Sequence, residues 1–271
     1  MIWNYRRILI FLFTIAFFSC QDIGKNYNWR GDPPIGFNRK FGSGGYDYGW
    51  GVSYSPFDEG FIVVGRKEMS LNGEYDLWAI KTDKFGLTEW TKNFGGDRND
   101  EGNDAIVTSN GDFIFVGNSW SFGSGQQLYI VKTDMYGNEK WQKTYGGSNW
   151  DVGMSVKETK DGNYLITGYS NSPGISSGNT DVYLLKIDKN GNQLWQKAHG
   201  KESENNHEWA NDLIEVENGD FLVVGARDYY DAYKRNILLL KVDKSGELIW
   251  EKEFNAFGAV DEVGYTISSS P

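Results

Sequence analysis

The chain has 271 residues with 34 glycines, 5 prolines, 16% aromatic side chains, 2 histidines, a single cysteine and a net charge of −10. That length supports a sizeable core in one large domain or two small ones, and glycine and aromatic usage well above average excludes disorder and collagen and points to an all-β, turn-rich fold. One cysteine excludes an internal disulfide, two histidines leave little for zinc or Ser-His chemistry, and the acidic surplus repels nucleic acid and anionic lipid head groups.

Taken in chain order, the first segment carries Arg6 and Arg7, an apolar run from Ile8 to Phe18, then Ser19 and Cys20. Eleven apolar residues fall short of the about 20 needed to span a bilayer. A basic start, a short apolar stretch and a small residue before the cut predict a secretory signal peptide over 1–19. Its removal takes away two positive charges and no acids, so the mature chain moves from −10 to −12. The polar stretch from Gln21 to Pro34 reads as a tether. Phe17-Phe18-Ser19-Cys20 resembles the lipobox of bacterial lipoproteins, with Phe17 where that family usually has Leu. The resemblance implies that Cys20 becomes a lipidated N-terminus and that acyl chains alone hold the protein to a membrane of the bacterial cell envelope. An ordinary signal peptide with an incidental cysteine is the alternative.

From residue 35 the chain repeats itself. Trp90, Trp141, Trp195 and Trp250 each end one phrase, in WAIKTDKFGLTEW, YIVKTDMYGNEKW, YLLKIDKNGNQLW and LLLKVDKSGELIW. Each period reads as four strands: an acid-led first strand, a second strand ending in Gly (GFIVVG, DFIFVG, NYLITG, DFLVVG), a longer loop and third strand, then a D-x-x-G turn and fourth strand. Four antiparallel strands per period of about 50 residues is the arithmetic of a β-propeller blade. The blades are expected at about 43–94, 95–145, 146–199 and 200–254, with a partial blade at 255–271. Repetition arises because each sheet has two faces to bury and finds covers only in its neighbours. The four tryptophans then wedge between blades.

Gly pairs follow the fourth strand, as at Gly95-Gly96, and not the second, which argues against kelch repeats. The D-x-x-G-x-x-x-W phrase, as in Asp188 to Trp195, resembles the tryptophan-docking repeat of quinoprotein-like propellers, one residue shorter between Asp and Gly and lacking its Thr. That family includes quinone-dependent dehydrogenases and an assembly lipoprotein of the outer-membrane barrel machinery. Over residues 35 to 271 the chain is most similar to bacterial β-propeller-repeat lipoproteins and surface proteins of mostly unassigned function. The resemblance implies a fold and no particular activity.

Strand counting predicts an incomplete ring. Residues 35–42 (IGFNRKFG) match a fourth strand, with Phe37 at the Trp position and Phe41 at the terminal aromatic, and the DEVGYTISSSP ending matches a first strand. The fold expected is therefore four complete blades plus an incomplete fifth, either part of a longer reading frame or an open arc sealed by a partner.

The longer loops lie together on one face and carry Trp120, Phe122, Tyr229, Tyr230, Tyr233 and Arg235, candidates for ligand binding on a rigid scaffold or for local packing. An acid begins each first strand: Asp47, Asp100, Asp151, Glu208 and Glu262. These read as a carboxylate ring for a cation or basic partner, or as acceptors for their own turns. Asp83, Asp134, Asp188 and Asp243 read as caps of the D-x-x-G turns. No catalytic residues, metal ligands or cofactor are expected, since the chain lacks G-x-S-x-G, metal-ligand spacings and a phosphate loop before a helix. The function expected is a non-catalytic envelope scaffold that binds a protein or glycan and no nucleic acid. The alternatives are a glycan-active enzyme using acids on the loop face and a quinoprotein-like assembly scaffold.

Overall fold

The structure is a computed structural model that describes residues 39–42, 44–69, 73–172, 175–176, 179–201, 206–229, 234–255 and 262–268. Cys20, the segment 1–38 with Phe37, and the loop tyrosines Tyr230 and Tyr233 lie outside the described residues.

Sixteen strands form four antiparallel four-stranded sheets, and the described residues contain no helix. Each sheet takes its strands in chain order. The first holds β1 (Tyr48–Tyr54), β2 (Phe61–Glu68), β3 (Tyr75–Thr82) and β4 (Thr88–Phe94). The second holds β5 (Asp100–Val107), β6 (Phe113–Ser119), β7 (Gln127–Thr133) and β8 (Glu139–Tyr145). The third holds β9 (Asp151–Glu158), β10 (Tyr164–Ser170), β11 (Asp181–Ile187) and β12 (Gln193–His199). The fourth holds β13 (Asn206–Glu215), β14 (Phe221–Tyr229), β15 (Lys234–Val242) and β16 (Leu248–Phe254). The chain is thus an all-β, propeller-like run of four blades. First strands pack on first strands, β1 on β5, β5 on β9 and β9 on β13, so they converge on an axis and the fourth strands lie outermost.

The repeated residues have repeated jobs. Every first strand carries a bulge, and the second-strand glycine faces it. A Cβ on Gly65, Gly117, Gly168 or Gly225 would sit 1.8–1.9 Å from the carbonyl oxygen of Tyr48, Glu101, Val152 or Trp209, a position no side chain can take. In the D-x-x-G turns Asp83, Asp134, Asp188 and Asp243 each accept two backbone N–H bonds, and the glycine lies at positive φ, as at Gly137 (+77°) and Gly246 (+83°). The lysine two residues before each of those acids turns inward to an acid of the turn between first and second strands of the same blade: Lys81 to Asp58, Lys132 to Asp112, Lys186 to Asp161 and Lys241 to Asp220.

The core lies between blades. Ile62, Val64, Leu77 and Ala79 of the first blade meet Ala105, Phe113, Phe115 and Tyr129 of the second, and equivalent clusters join the second to the third and the third to the fourth. Full burial of each Ile, Val, Leu or Phe among them contributes about 1.5–3 kcal/mol. Trp90, Trp141 and Trp195 pack against these three clusters in turn. Trp90 Nε1 donates to the Met135 carbonyl of the next blade's turn at 3.1 Å, and Trp195 lies under Gly246. Trp250 is half-buried, with Lys252 over its ring at 5.4 Å.

Candidate functional site

Asp47, Asp100, Asp151 and Glu208, which open the first four first strands, hydrogen-bond within their own blades. Asp47 accepts the Glu68 N–H at 3.1 Å. Asp100 is fully buried and accepts from the Gly96 N–H (2.8 Å) and Ser121 Oγ (2.6 Å). Asp151, also fully buried, accepts from the Gly147 N–H and from the hydroxyls of Ser170 and Ser172. The fourth blade changes the chemistry at this position. Glu208 replaces the shorter acid, and Arg227 stands opposite it where the second and third blades have Ser119 and Ser170. Arg227 is buried and its guanidinium meets Glu208 (2.6 Å), Glu251 (3.2 Å) and Glu253. Tyr229 Oη donates to Glu253 at 2.6 Å.

Burial acts to raise Glu253, but hydrogen bonds from Tyr229 and Asn236 and the Arg227 charge win and hold it down to about 2. Asp76 behaves oppositely: burial first, and the Asp100 charge second, push it up to about 6. The two carboxyls flank Gly95, whose Cβ would fall within 3.0 Å of each. Because the folded pKa lies above the unfolded value of about 3.9, Asp76 withdraws stability as pH climbs from 4 toward 6. Asp76→Asn is therefore expected to raise stability at pH 7 by about 1 kcal/mol, a value discounted for partial exposure, and to leave it unchanged near about pH 3. Paired melting curves at the two pH values check this.

Among the loop aromatics, Phe122 packs on buried Tyr129 (ring centroids 5.5 Å apart) and belongs to the first interblade cluster. Trp120 is half-buried, and its backbone N–H donates to the Asn99 carbonyl at 2.9 Å. Arg235 is exposed, pairs with Asp228 at 3.0 Å and lies over Trp209. Tyr229 joins the first-strand acid Glu208 through Glu253 and Arg227.

The exposed aromatic surface lies instead along β1. Tyr46, Tyr48, Trp50 and Tyr54 are all exposed. Tyr48 and Trp50 stack at 5.7 Å with an interplanar angle of 9°. Arg66 from β2 lies over Tyr48 (4.7 Å), Trp50 (5.4 Å) and Tyr75 (4.1 Å) and reaches Glu101 of β5 at 3.1 Å. Tyr48 lies directly opposite Arg66 in the β1–β2 ladder, and the strand has a bulge between Gly49 and Gly51 at Trp50. Sequence reasoning missed this group because it looked to the long loops, yet the signal was present: where β5 reads EGN, β1 reads YGW. A stacked aromatic pair holding an arginine, with a carboxylate beside it, offers flat apolar area, hydrogen-bond donors and an acceptor in one place.

Farther along the axial strands a polar chain links the blades. Ser155 Oγ lies 3.0 Å from Asp104 Oδ2 and 2.9 Å from Asp212 Oδ1, and Lys157 pairs with Asp212 at 3.0 Å. Burial pushes Asp104 up; in Asp212 burial is outweighed by Lys157 and backbone donors, and its pKa falls. One hydroxyl proton cannot serve both acids. Ser155 therefore bridges the two acids and donates to one of them at a time.

A cavity of about 130 Å³ lies against the first blade between Phe41, Asp47, Val63, Trp78 and Ile80. Among the described residues no three His, Cys, Asp or Glu side chains gather as a metal site.

No protein-family model matches the chain, and no curated protein does. Among solved structures it is similar to a protein of unknown function from Bacteroides caccae, at 13% identity over 77% of this chain and 82% of that one, with a TM-score of 0.40. It is also similar to a eukaryotic initiation factor, at 10% identity over 75% of this chain and 55% of that one (TM-score 0.35). A third is Sqt1 from Chaetomium thermophilum, at 8% identity over 77% of this chain and 72% of that one (TM-score 0.32).

Proposed function

We propose that the protein is a non-catalytic binding scaffold of the bacterial cell envelope, held by a lipid on Cys20, which engages an envelope partner through the aromatic end of β1. The observation that carries this reading is the exposed Tyr48–Trp50 stack with Arg66 and Glu101 around it. Trp, Tyr and Arg are the residues that dominate binding energy at interfaces, and contiguous exposed apolar area on a soluble body marks an interaction site. The acids on which a glycan-active enzyme would rest are spent on internal hydrogen bonds at Asp100, Asp151 and Glu208, which favours binding over turnover. The propeller repeat and the lipobox resemblance support an envelope scaffold of the quinoprotein-like kind.

The test joins photo-crosslinking from position 46 in the producing cell with titration of the identified partner. Trp50→Ala is expected to weaken binding by about 2 kcal/mol, roughly 30-fold, with an unchanged Tm. Undiminished affinity in that variant sinks the reading. A labelled Cys20 peptide carrying acyl mass supports the anchor, and an unmodified one removes it.

A further inference from the structure

Three third strands carry a buried aromatic ring with a polar atom at the same place: Trp78, Tyr129 and Tyr183, each opposite the second-strand glycine of its blade. In the second and third blades the fourth strand satisfies that atom, Tyr129 Oη donating to Gln142 and Tyr183 Oη to Gln196 at 2.8 Å. The first blade has Thr91 at the position of those glutamines, and Thr91 is exposed. Trp78 Nε1 is buried, with no hydrogen-bond acceptor among the described residues. A buried donor left unpaired is costly, and native proteins rarely carry one without a use for it.

The space beside Trp78 is open. The cavity of about 130 Å³ has buried Val64, Trp78 and Ile80 as its floor and half-buried Asp47 and exposed Tyr48 and Gly49 at its mouth. Gly49 records the room. The nearest atom to a Cβ built there is Val63 Cγ1, at 3.7 Å, whereas a Cβ on the equivalent Gly102 or Gly153 would lie 2.3 Å from Val64 or 2.5 Å from Val116 of the blade before.

The lining states what fits. An apolar cavity of about 150 Å³ holds a benzene ring, and Phe41, Val63, Val64 and Ile80 supply apolar walls on that scale. Trp78 offers a donor and Asp47 an acceptor. A carboxylate accepts up to about four hydrogen bonds, so Asp47 has capacity beyond the one it takes from the Glu68 N–H. One hydroxyl answers both groups, accepting from Trp78 and donating to Asp47. A water would bridge the two but leave the apolar walls without contacts.

We propose that this cavity is a binding site for a neutral phenolic ring, with the ring against Val63, Val64 and Ile80 and the hydroxyl between Trp78 Nε1 and Asp47. Phenolate is disfavoured, because it faces the Asp47 charge and brings no donor. The ring reaches the site as a free small phenol or as a tyrosyl side chain of a partner seated on the adjoining Tyr48–Trp50 surface. Trp50 does not line the cavity, so the result here is separate from that of Trp50→Ala, which tests the partner surface.

The test is a titration of phenol into the whole chain, followed at the assigned indole N–H resonance of Trp78. Expected are a saturable shift with phenol and binding at least about tenfold weaker for toluene, which has the same shape without the hydroxyl. Trp78→Phe should weaken phenol about tenfold, and Gly49→Leu, which fills the cavity and keeps the donor, should abolish binding. The phenol and toluene comparison uses the unmodified chain and so stands if either variant fails to fold. Absence of a saturable shift overturns the proposal, as do equal affinities for phenol and toluene or phenol binding that survives Gly49→Leu. N-acetyltyrosinamide separates the two sources: affinity equal to that of phenol upholds the site as a tyrosyl pocket, and binding of phenol alone upholds it as a site for a free phenol.

Discussion

Asp151→Ala is expected to destabilise the protein by about 3–5 kcal/mol, enough to abolish cooperative folding in a marginally stable domain. Asp151 is fully buried and collects three donors: the Gly147 N–H, Ser170 Oγ and Ser172 Oγ. Alanine leaves all three without an acceptor and opens a cavity at the junction between the fourth strand of one blade and the first strand of the next. Ser170→Ala removes one donor to Asp151 and the acceptor of the Ser172 N–H, and should cost about 1–2 kcal/mol. Asp100→Ala should fall between, because Asp100 serves the Gly96 N–H and Ser121 Oγ alone. Urea unfolding followed by tryptophan fluorescence ranks the three. The opposite pattern, with unchanged stability and a lost glycan-cleaving activity, is what the enzyme alternative requires, so the same variants decide between the two functional classes.

Arg227→Met should cost a similar amount, about 3–5 kcal/mol near neutral pH, because it strips buried Glu208 of its cation and leaves Glu251 and Glu253 with Lys201 alone among the described residues. Glu208 is fully buried; Glu251 and Glu253 are half-buried. The pH dependence identifies the mechanism. In the parent protein Glu253 sits near 2, below its unfolded value of about 4.3, so its contribution is complete above that value and disappears as pH falls toward 2. Glu208 is already pushed up by burial, with Arg227 opposing that push. Removing Arg227 raises both acids, and their protonation relieves the variant. The destabilisation is therefore expected to be smaller at about pH 4 than at about pH 8, and Arg227→Met/Glu208→Gln should recover part of the loss. A deficit independent of pH would mean that lost packing of the arginine stem, and not stranded charge, is responsible.

The fold was legible because a blade is a local object. Alternating apolar residues, a glycine facing a bulge, an aspartate capping a D-x-x-G turn and a tryptophan ending the fourth strand all act within one period, and each returns in the next because each blade solves the same problem. The strand order within each sheet and the division into four blades come directly from that period.

The candidate site was not legible in the same way. Phe122 and Trp50 both lie close to polar residues in sequence; Phe122 packs on buried Tyr129, whereas Trp50, stacked on Tyr48 beside Arg66, stays exposed. Likewise the recurrence of an acid at the head of each first strand favours a brace over a ligand, but its partners Ser170 and Ser172, or Arg227, lie about twenty residues away and emerge only in the folded chain. The periodic parts, namely the all-β class, the four blades and the turns, were readable from the amino-acid order alone. Packing in three dimensions settled which side chains cover one another: the Tyr48–Trp50–Arg66 cluster and the inward acids. The reason is that backbone pattern is set by residues close in the chain, whereas exposure and charge are set by neighbours that only the seating of one blade on the next brings together.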